Sequence, residues 1–237
     1  MCCEQVPEPN SALAEFVAEG PVVLYLRPMT PFLIGITGGS GCGKTTLIRQ
    51  LREAFSIEQL CIISQDDYYR PREEQQIDAQ GITNFDLPKS IDKKAFRKDI
   101  QRLLKGEVVE RQEYTFNNVS KKAKTLTFRP APIIIVEGLF VFHYKKIKQL
   151  LDLKVFLHAK ENLKVIRRIR RDRVERNYPL DDVLYRYENH VLPTFEKYIG
   201  PYRAGADLVI NNNDDFGMGL AVLEGFIRSK LATIDQA

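Results

Sequence analysis

"FLIGITGGSGCGKTTL", residues 32–47, decides the fold. Its first six residues are a short apolar run ending at glycine, which predicts a strand buried on both faces. Leu47, Ile48, Leu51 and Phe55 recur at helical spacing, so a helix follows. Between the two, Gly38, four residues, Gly43, Lys44 and Thr45 fit GxxxxGK[ST] in the strand-to-helix setting that this phosphate-binding motif requires. The candidate cradle is Gly38, Gly39, Ser40, Gly41, Cys42, Gly43, Lys44, Thr45 and Thr46. Its glycines let backbone N–H groups converge on phosphate oxygens, a concavity that Cβ atoms would obstruct. The helix start adds unpaired N–H groups and the positive end of its dipole. Lys44 is placed to reach β- and γ-phosphates, and the Thr45 hydroxyl to hold Mg²⁺. A glycine-rich turn with a solvent-facing lysine is the plainer alternative, and the flanking elements argue against it.

Outward from this loop, "LCIIS" (60–64), "IIIVEG" (133–138), "LKVFLHA" (153–159) and "ADLVIN" (206–211) read as further short strands. Helices are expected around Phe96–Leu104 (closed by Gly106), from about 161 to 176, across Leu180–Val191, and after Leu220. "EVVERQEYTF" and "KTLTFRP" read as a hairpin within 107–128. Residues 67–90 look polar and irregular, and residues 1–30 an extension, with "VVLYL" (22–26) either a strand or an apolar tether. The pattern is α/β, a parallel sheet flanked by helices with an inserted hairpin.

Composition narrows the class. The 237 residues suffice for a full core, and a formal charge of +4 is too mild to imply nucleic acid. Cys2, Cys3, Cys42 and Cys61 form neither a CxxC pair nor a zinc spacing, which points to a reducing, cytoplasmic setting. Residues 1–30 carry Glu4, Glu8, Glu15 and Glu19 and resemble neither a secretory signal nor a mitochondrial presequence. "PIIIVEGLFVF" (132–142) is too short for a membrane span and holds Glu137 at its centre. A GTPase would show an NKxD base reader; there is none, and the DxxG "DDFG" (214–217) follows the last strand. A motor ATPase would usually end the 133–137 strand in an acidic pair rather than in Glu137 alone.

The acids and arginines carry the remaining chemistry. In "SQDDYYR" (64–70), Asp66 follows a strand at the edge where α/β sheets bind ligands. If that strand neighbours the phosphate loop, Asp66 lies within reach of the γ-phosphate and can accept a hydroxyl proton; otherwise it caps a turn. Glu137 either bonds local backbone or holds Mg²⁺ through water. "RRIRRDRVER" (167–176) is a solvated helix laced by Arg168–Asp172, Arg171–Glu175 and Asp172–Arg176 pairs, a nucleic-acid patch, or a lid closing guanidinium groups over phosphate. The phosphate loop favours the lid.

With "GGSGCGKTT", "SQDDYYR", "NFDLP", "EYTF", "VEG" and "RRIRRDRVER" in this order, residues 32–212 resemble the uridine kinase (uridine–cytidine kinase) family. The resemblance implies a P-loop NTPase fold with an arginine lid, and a nucleoside kinase domain over 31–237 that phosphorylates a pyrimidine ribonucleoside 5′-hydroxyl with ATP or another triphosphate and Mg²⁺. It implies Asp66 as base, Thr45, Glu137 and Asp66 on the metal side, and Lys44, Arg171 and Arg176 on phosphates. Tyr69, Phe85, Asp86, Tyr114, Phe116 and Arg168 would meet the nucleoside, and the 107–128 hairpin would cover its base. It also implies a homo-oligomer, often a tetramer, with no nucleic-acid or membrane partner.

Three positions depart from the family. Val119 stands where a histidine usually reads the pyrimidine edge, Tyr178 where an arginine is usual, and Arg186 where a glutamine is usual. A valine offers a base edge no hydrogen bond. Asn117, Asn118 or Ser120 could substitute for the histidine, or another nucleoside or a phosphorylated sugar could be the acceptor, its charge met by Arg186. A nucleotide-dependent regulatory protein without catalysis is the reading from another class; the retained Asp66, Lys44 and arginines oppose it. Cys42 is expected to be inert packing, unless an exposed thiol lets oxidation block the loop.

Overall fold

The computed structural model describes residues 30–115, 122–174 and 178–235. The extension, Phe116, Asn117, Asn118, Val119, Ser120, Glu175 and Arg176 lie outside the described residues. In chain order the elements are β1 (Phe32–Thr37), α1 (Lys44–Ala54), β2 (Leu60–Ser64), β3 (Gln76–Ile77), β4 (Thr83–Asn84), α2 (Lys93–Leu104), β5 (Val109–Gln112), β6 (Thr125–Phe128) and β7 (Ile133–Glu137). They continue with α3 (Lys145–Lys148), β8 (Leu153–His158), α4 (Glu161–Val174), α5 (Leu180–Arg186), α6 (Leu192–Tyr198), β9 (Leu208–Asn211) and α7 (Gly217–Asp235).

Five strands form a parallel sheet in the order β2-β7-β1-β8-β9. Strand side chains alternate in direction, and both directions are apolar here, so each face builds a core. Leu33, Ile63, Ile134, Val136 and Phe156 pack on one face with Phe96, Ile100 and Leu103 of α2. Ile34, Ile36, Ile62, Ile135, Val155 and Leu157 pack on the other with Leu47 and Leu51 of α1 and Leu223 and Ile227 of α7. Full burial of each such side chain contributes about 1.5–3 kcal/mol.

The strand order answers a condition that the sequence left open: β2 does not lie beside β1, because β7 runs between them, with Glu137 in register with Ile36 on one side and Ser64 on the other. The chain leaves β1 toward β2 in one direction and later adds β8 in the other. The loop after β1 therefore sits at a topological switch point, where such sheets open a crevice at their carboxyl ends.

The hairpin of β5 and β6 forms as expected, Val109 facing Phe128 and Gln112 facing Thr125. Residues 67–90 are less irregular than their polarity suggests, because β3 and β4 pair as a small flap. Asp78 tethers that flap: its Oδ1 accepts from the Gln80 and Ile82 N–H groups at 2.9 and 2.8 Å, and its Oδ2 from the Tyr185 hydroxyl at 2.9 Å. His190 Nε2 lies 2.7 Å from the same Oδ2. Burial acts to raise this carboxyl, but the bonds from Ile82, His190, Tyr185 and Gln80 outweigh it and hold Asp78 well below the usual carboxylate range. Its stabilisation is thus present above the unfolded value and lost as pH falls through the folded one. Thermal melts from pH 7 to pH 2.5 are expected to show a smaller acid-induced decline for Asp78→Asn than for the parent chain; parallel declines would refute the assignment.

Candidate active site

Gly43 precedes α1 with φ 105°, a left-handed conformation that favours glycine. Gly41 has φ 80°, and a methyl group there would meet the Lys164 carbonyl oxygen at 2.5 Å. The loop is seated against the backbone of α4. Asn212, after β9, supports it from another side: its Nδ2 donates to the Cys42 carbonyl at 2.8 Å. Arg167 in turn donates to the Asn212 carbonyl at 2.9 Å. Cys42 is fully buried, in agreement with the packing reading.

Lys44 Nζ donates to the carbonyls of Gly38 and Gly39 at 2.8 and 3.2 Å. Beside it lies a cation that the motif does not reveal. Lys164 is 97% buried at its side chain, ion-paired with Glu161 at 2.6 Å, and its ammonium sits 3.3 Å from the centre of the Phe195 ring. Burial pulls its pKa down, and the Lys44 charge adds to that. Its position three residues into α4, after an acid at the first helical turn, gave only the pattern of an i,i+3 surface pair.

The acids converge on the same sheet edge. Ser64, not Asp66, caps the turn after β2, its Oγ accepting from the Asp66 N–H at 3.2 Å. The Ser64 hydroxyl donates to Glu137. Burial, then the Asp66 charge, pushes the Glu137 carboxyl up to about 7, against the Ser64 bond and the Lys44 charge. Two carboxylates and the Thr45 hydroxyl are hard oxygen donors, and the mutual repulsion of the acids favours a divalent cation between them. Among the described residues, no three His, Cys, Asp or Glu side chains gather as a metal cluster, so phosphate and water oxygens would have to complete such a shell.

Next to the acids is an aromatic wall. The Tyr69 ring centre lies 6.2 Å from that of Phe85 and 5.3 Å from that of Tyr114. Burial and the charges of Asp66 and Asp86 drive the Tyr69 phenol well above its ordinary value, which places both acids around it. Asp67, passed over in the sequence, fastens the hairpin here: its carbonyl accepts from Arg111 Nε at 2.6 Å.

Arg168 joins the two halves. Its Nη1 donates to Ser40 Oγ of the phosphate loop at 3.0 Å and lies 3.6 Å from Asp86 Oδ1. Its Nε pairs with the buried Asp172 at 3.2 Å, and Arg171 Nε donates to the other Asp172 oxygen at 2.9 Å. The expected Arg168–Asp172 pair exists, but inside the protein rather than on a solvated face. Arg186 donates through Nη1 to the Thr83 carbonyl at 3.0 Å, which ties it to the flap. Beyond the loop, a cavity of about 370 Å³ is lined by Gly43, Thr46, Arg167, Asn212, Asp214 and Phe216. The "DDFG" segment thus borders the phosphate loop. Among the described residues, no helix is long and apolar enough to cross a membrane.

The pattern of the phosphoribulokinase/uridine kinase family matches residues 33–216. A uridine kinase of Streptococcus uberis is 31% identical over 87% of this chain and 98% of its own length. A uridine kinase of Clostridium tetani is 34% identical over 84% of this chain and 95% of its own. Among solved structures, phosphoribulokinase from Rhodobacter spheroides superposes with a TM-score of 0.55 at 18% identity, covering 77% of this chain and 70% of that one.

Proposed function

The chain belongs to the phosphoribulokinase/uridine kinase family of phosphotransferases acting on an alcohol group, and from that premise we propose that it phosphorylates the 5′-hydroxyl of a pyrimidine ribonucleoside with ATP. The observation that carries this reading is the Arg168 bridge, one guanidinium touching the phosphate loop at Ser40 and approaching Asp86 on the acceptor side. A residue so placed holds donor and acceptor in one frame, and positioning is the larger part of phosphoryl-transfer catalysis.

In this reading the loop amides and Lys44 hold the β- and γ-phosphates, Lys44 exchanging its carbonyl partners for phosphate oxygens. Lys164 supplies a second, water-excluded cation beside it. The cavity at Asp214 and Phe216 accommodates the donor's base. Thr45, Asp66 and Glu137 would hold Mg²⁺, which neutralises phosphate charge when bound. Tyr69, Phe85 and Tyr114 stack around the nucleoside, and Asp86 accepts from ribose hydroxyls. Asp66 takes the 5′-hydroxyl proton as the oxygen attacks the terminal phosphorus, whose bond to the β,γ-bridging oxygen breaks to release ADP. Arg171 and, from the sequence, Arg176 complete the charge around the transferred group.

Val119, Tyr178 and Arg186 favour testing the acceptor directly. Initial rates with ATP and Mg²⁺ over uridine, cytidine, purine nucleosides and sugar phosphates are expected to give kcat/KM for uridine or cytidine at least about tenfold above the rest, within the range one lost polar contact commands. Preference for a sugar phosphate would move the acceptor assignment. Absence of transfer to every acceptor, with ATP still bound, would favour the regulatory reading.

A further inference from the structure

The flap of β3 and β4 has little apolar burial of its own. Gln76, Ile77, Ala79, Gln80 and Gly81 are all exposed. Polar bonds from α5 and the turn after it grip the flap instead. Tyr185 and His190 meet Asp78 Oδ2 at the flap's turn, and Arg186 Nη1 donates to the Thr83 carbonyl on its returning strand.

These three residues converge because of how that helix is wound. On an α-helix, residues five apart point about 140° away from each other. Tyr187–Val191 instead form a π turn, in which the Leu192 N–H bonds back to the Tyr187 carbonyl. Pro193 lacks the N–H that an α-turn would direct at the Asn189 carbonyl, and Asn189 Nδ2 donates to the Tyr185 carbonyl at 2.9 Å. The widened turn brings the buried His190 ring to 5.9 Å from that of Tyr185, edge to face. Single π turns within helices are frequent at functional sites.

From Thr83 the grip runs on to the acceptor side. The next residue, Asn84, is buried; its carbonyl accepts from Ser90 Oγ at 3.2 Å and its Oδ1 from the Asp86 N–H at 2.9 Å. Asp86 in turn lies 3.6 Å from Arg168 Nη1. The Asp86 carboxylate is thus set between α4 on one side and, through Asn84 and Thr83, Arg186 of α5 on the other.

We propose that Arg186 is a positioning residue for the acceptor: with the Asp78, Tyr185 and His190 clasp it fixes the flap, and through Thr83 and Asn84 it sets where Asp86 presents its carboxylate. The inference rests on the reading of Asp86 as the ribose contact. It assigns the Arg186 charge to the flap backbone, so that Arg186 acts on the acceptor through Asp86.

Isothermal titration calorimetry with uridine and, separately, with ATP tests this, each variant being measured well below its melting temperature. Arg186→Met is expected to weaken uridine about tenfold, the order lost with one bond from a charged donor, and to leave ATP within about twofold. Arg186→Lys, which keeps a donor for the Thr83 carbonyl, is expected to recover part of that loss. Tyr185→Phe removes one bond to Asp78 while keeping the ring, and is expected to weaken uridine several-fold from the other end of the clasp. Asp86→Asn tests the underlying reading and is expected to weaken uridine by itself. The Arg186→Met, Asp86→Asn double variant is then expected to bind uridine no more weakly than Asp86→Asn alone, a non-additivity that a general loss of stability would not produce. Uridine binding unmoved by Arg186→Met, ATP weakened as much as uridine, or penalties that multiply in the double variant would overturn the proposal. Uridine unbound by the parent chain, or unmoved by Asp86→Asn, would instead remove the acceptor reading and this inference with it.

Discussion

Asp66→Asn is expected to bind ATP with unchanged affinity and to turn over about 10²–10⁴ times more slowly, the range lost with a positioned general base. The substitution keeps the size of the side chain and its capacity to accept one hydrogen bond, but removes the basicity. The surrounding geometry says why the loss falls on kcat. The turn that carries Asp66 is capped by Ser64, whose bond from the residue-66 N–H asparagine retains. The charge it removes is one that raises Glu137, so the neighbouring carboxyl becomes easier to ionise, which offsets the carboxylate lost from the metal side. Single-turnover rates and the ATP dissociation constant, measured on the same preparation, separate the two effects. Turnover within tenfold of the parent, with transfer still to an alcohol, would remove Asp66 from the chemistry.

How much of this could be read before the fold was known differs by element, for physical reasons. The phosphate loop was legible because its chemistry is backbone chemistry: glycines at fixed offsets, a strand before and a helix after. The sheet strands were legible for a related reason, being apolar in both side-chain directions, so that a run such as Ile133–Val136 has no other stable place. The position of β7 between β1 and β2 was not legible, since strand order arises from long-range packing and leaves no local mark. It is nevertheless what brings Glu137 between the loop and Asp66. The β3–β4 flap was missed because its strands are two residues long, and its order comes from Asp78 bonds rather than from apolar alternation. Lys164 was missed because a lysine on a basic helix reads as solvated until Phe195, over 30 residues away, is seen to cover it. Arg186 adds a related case: its bond to the Thr83 carbonyl joins residues over 100 positions apart and leaves no local mark in the sequence.

Arg168→Met is expected to produce two losses of different origin. The first is catalytic, about 10²–10³ in kcat/KM, comparable to deleting one preorganised donor around a developing charge. It follows from the bridge, since methionine can neither donate to Ser40 Oγ nor approach Asp86 as a cation. The second is structural. Asp172 is 2% exposed and would lose the guanidinium at its Oδ2 while keeping Arg171 at its Oδ1. Removing one side of a buried pair costs about 3–5 kcal/mol when the other charge is stranded; with Arg171 still bound, about 2–3 kcal/mol is expected. For a chain of this size that is a fall in Tm of about 5–10 °C. Adding Asp172→Asn separates the two, because a neutral amide no longer needs the guanidinium. The double variant is expected to regain most of the lost Tm while its kcat/KM stays low. Recovery of turnover along with stability would mean that Arg168 serves only to neutralise Asp172, and the bridge between donor loop and acceptor wall would carry no catalytic weight.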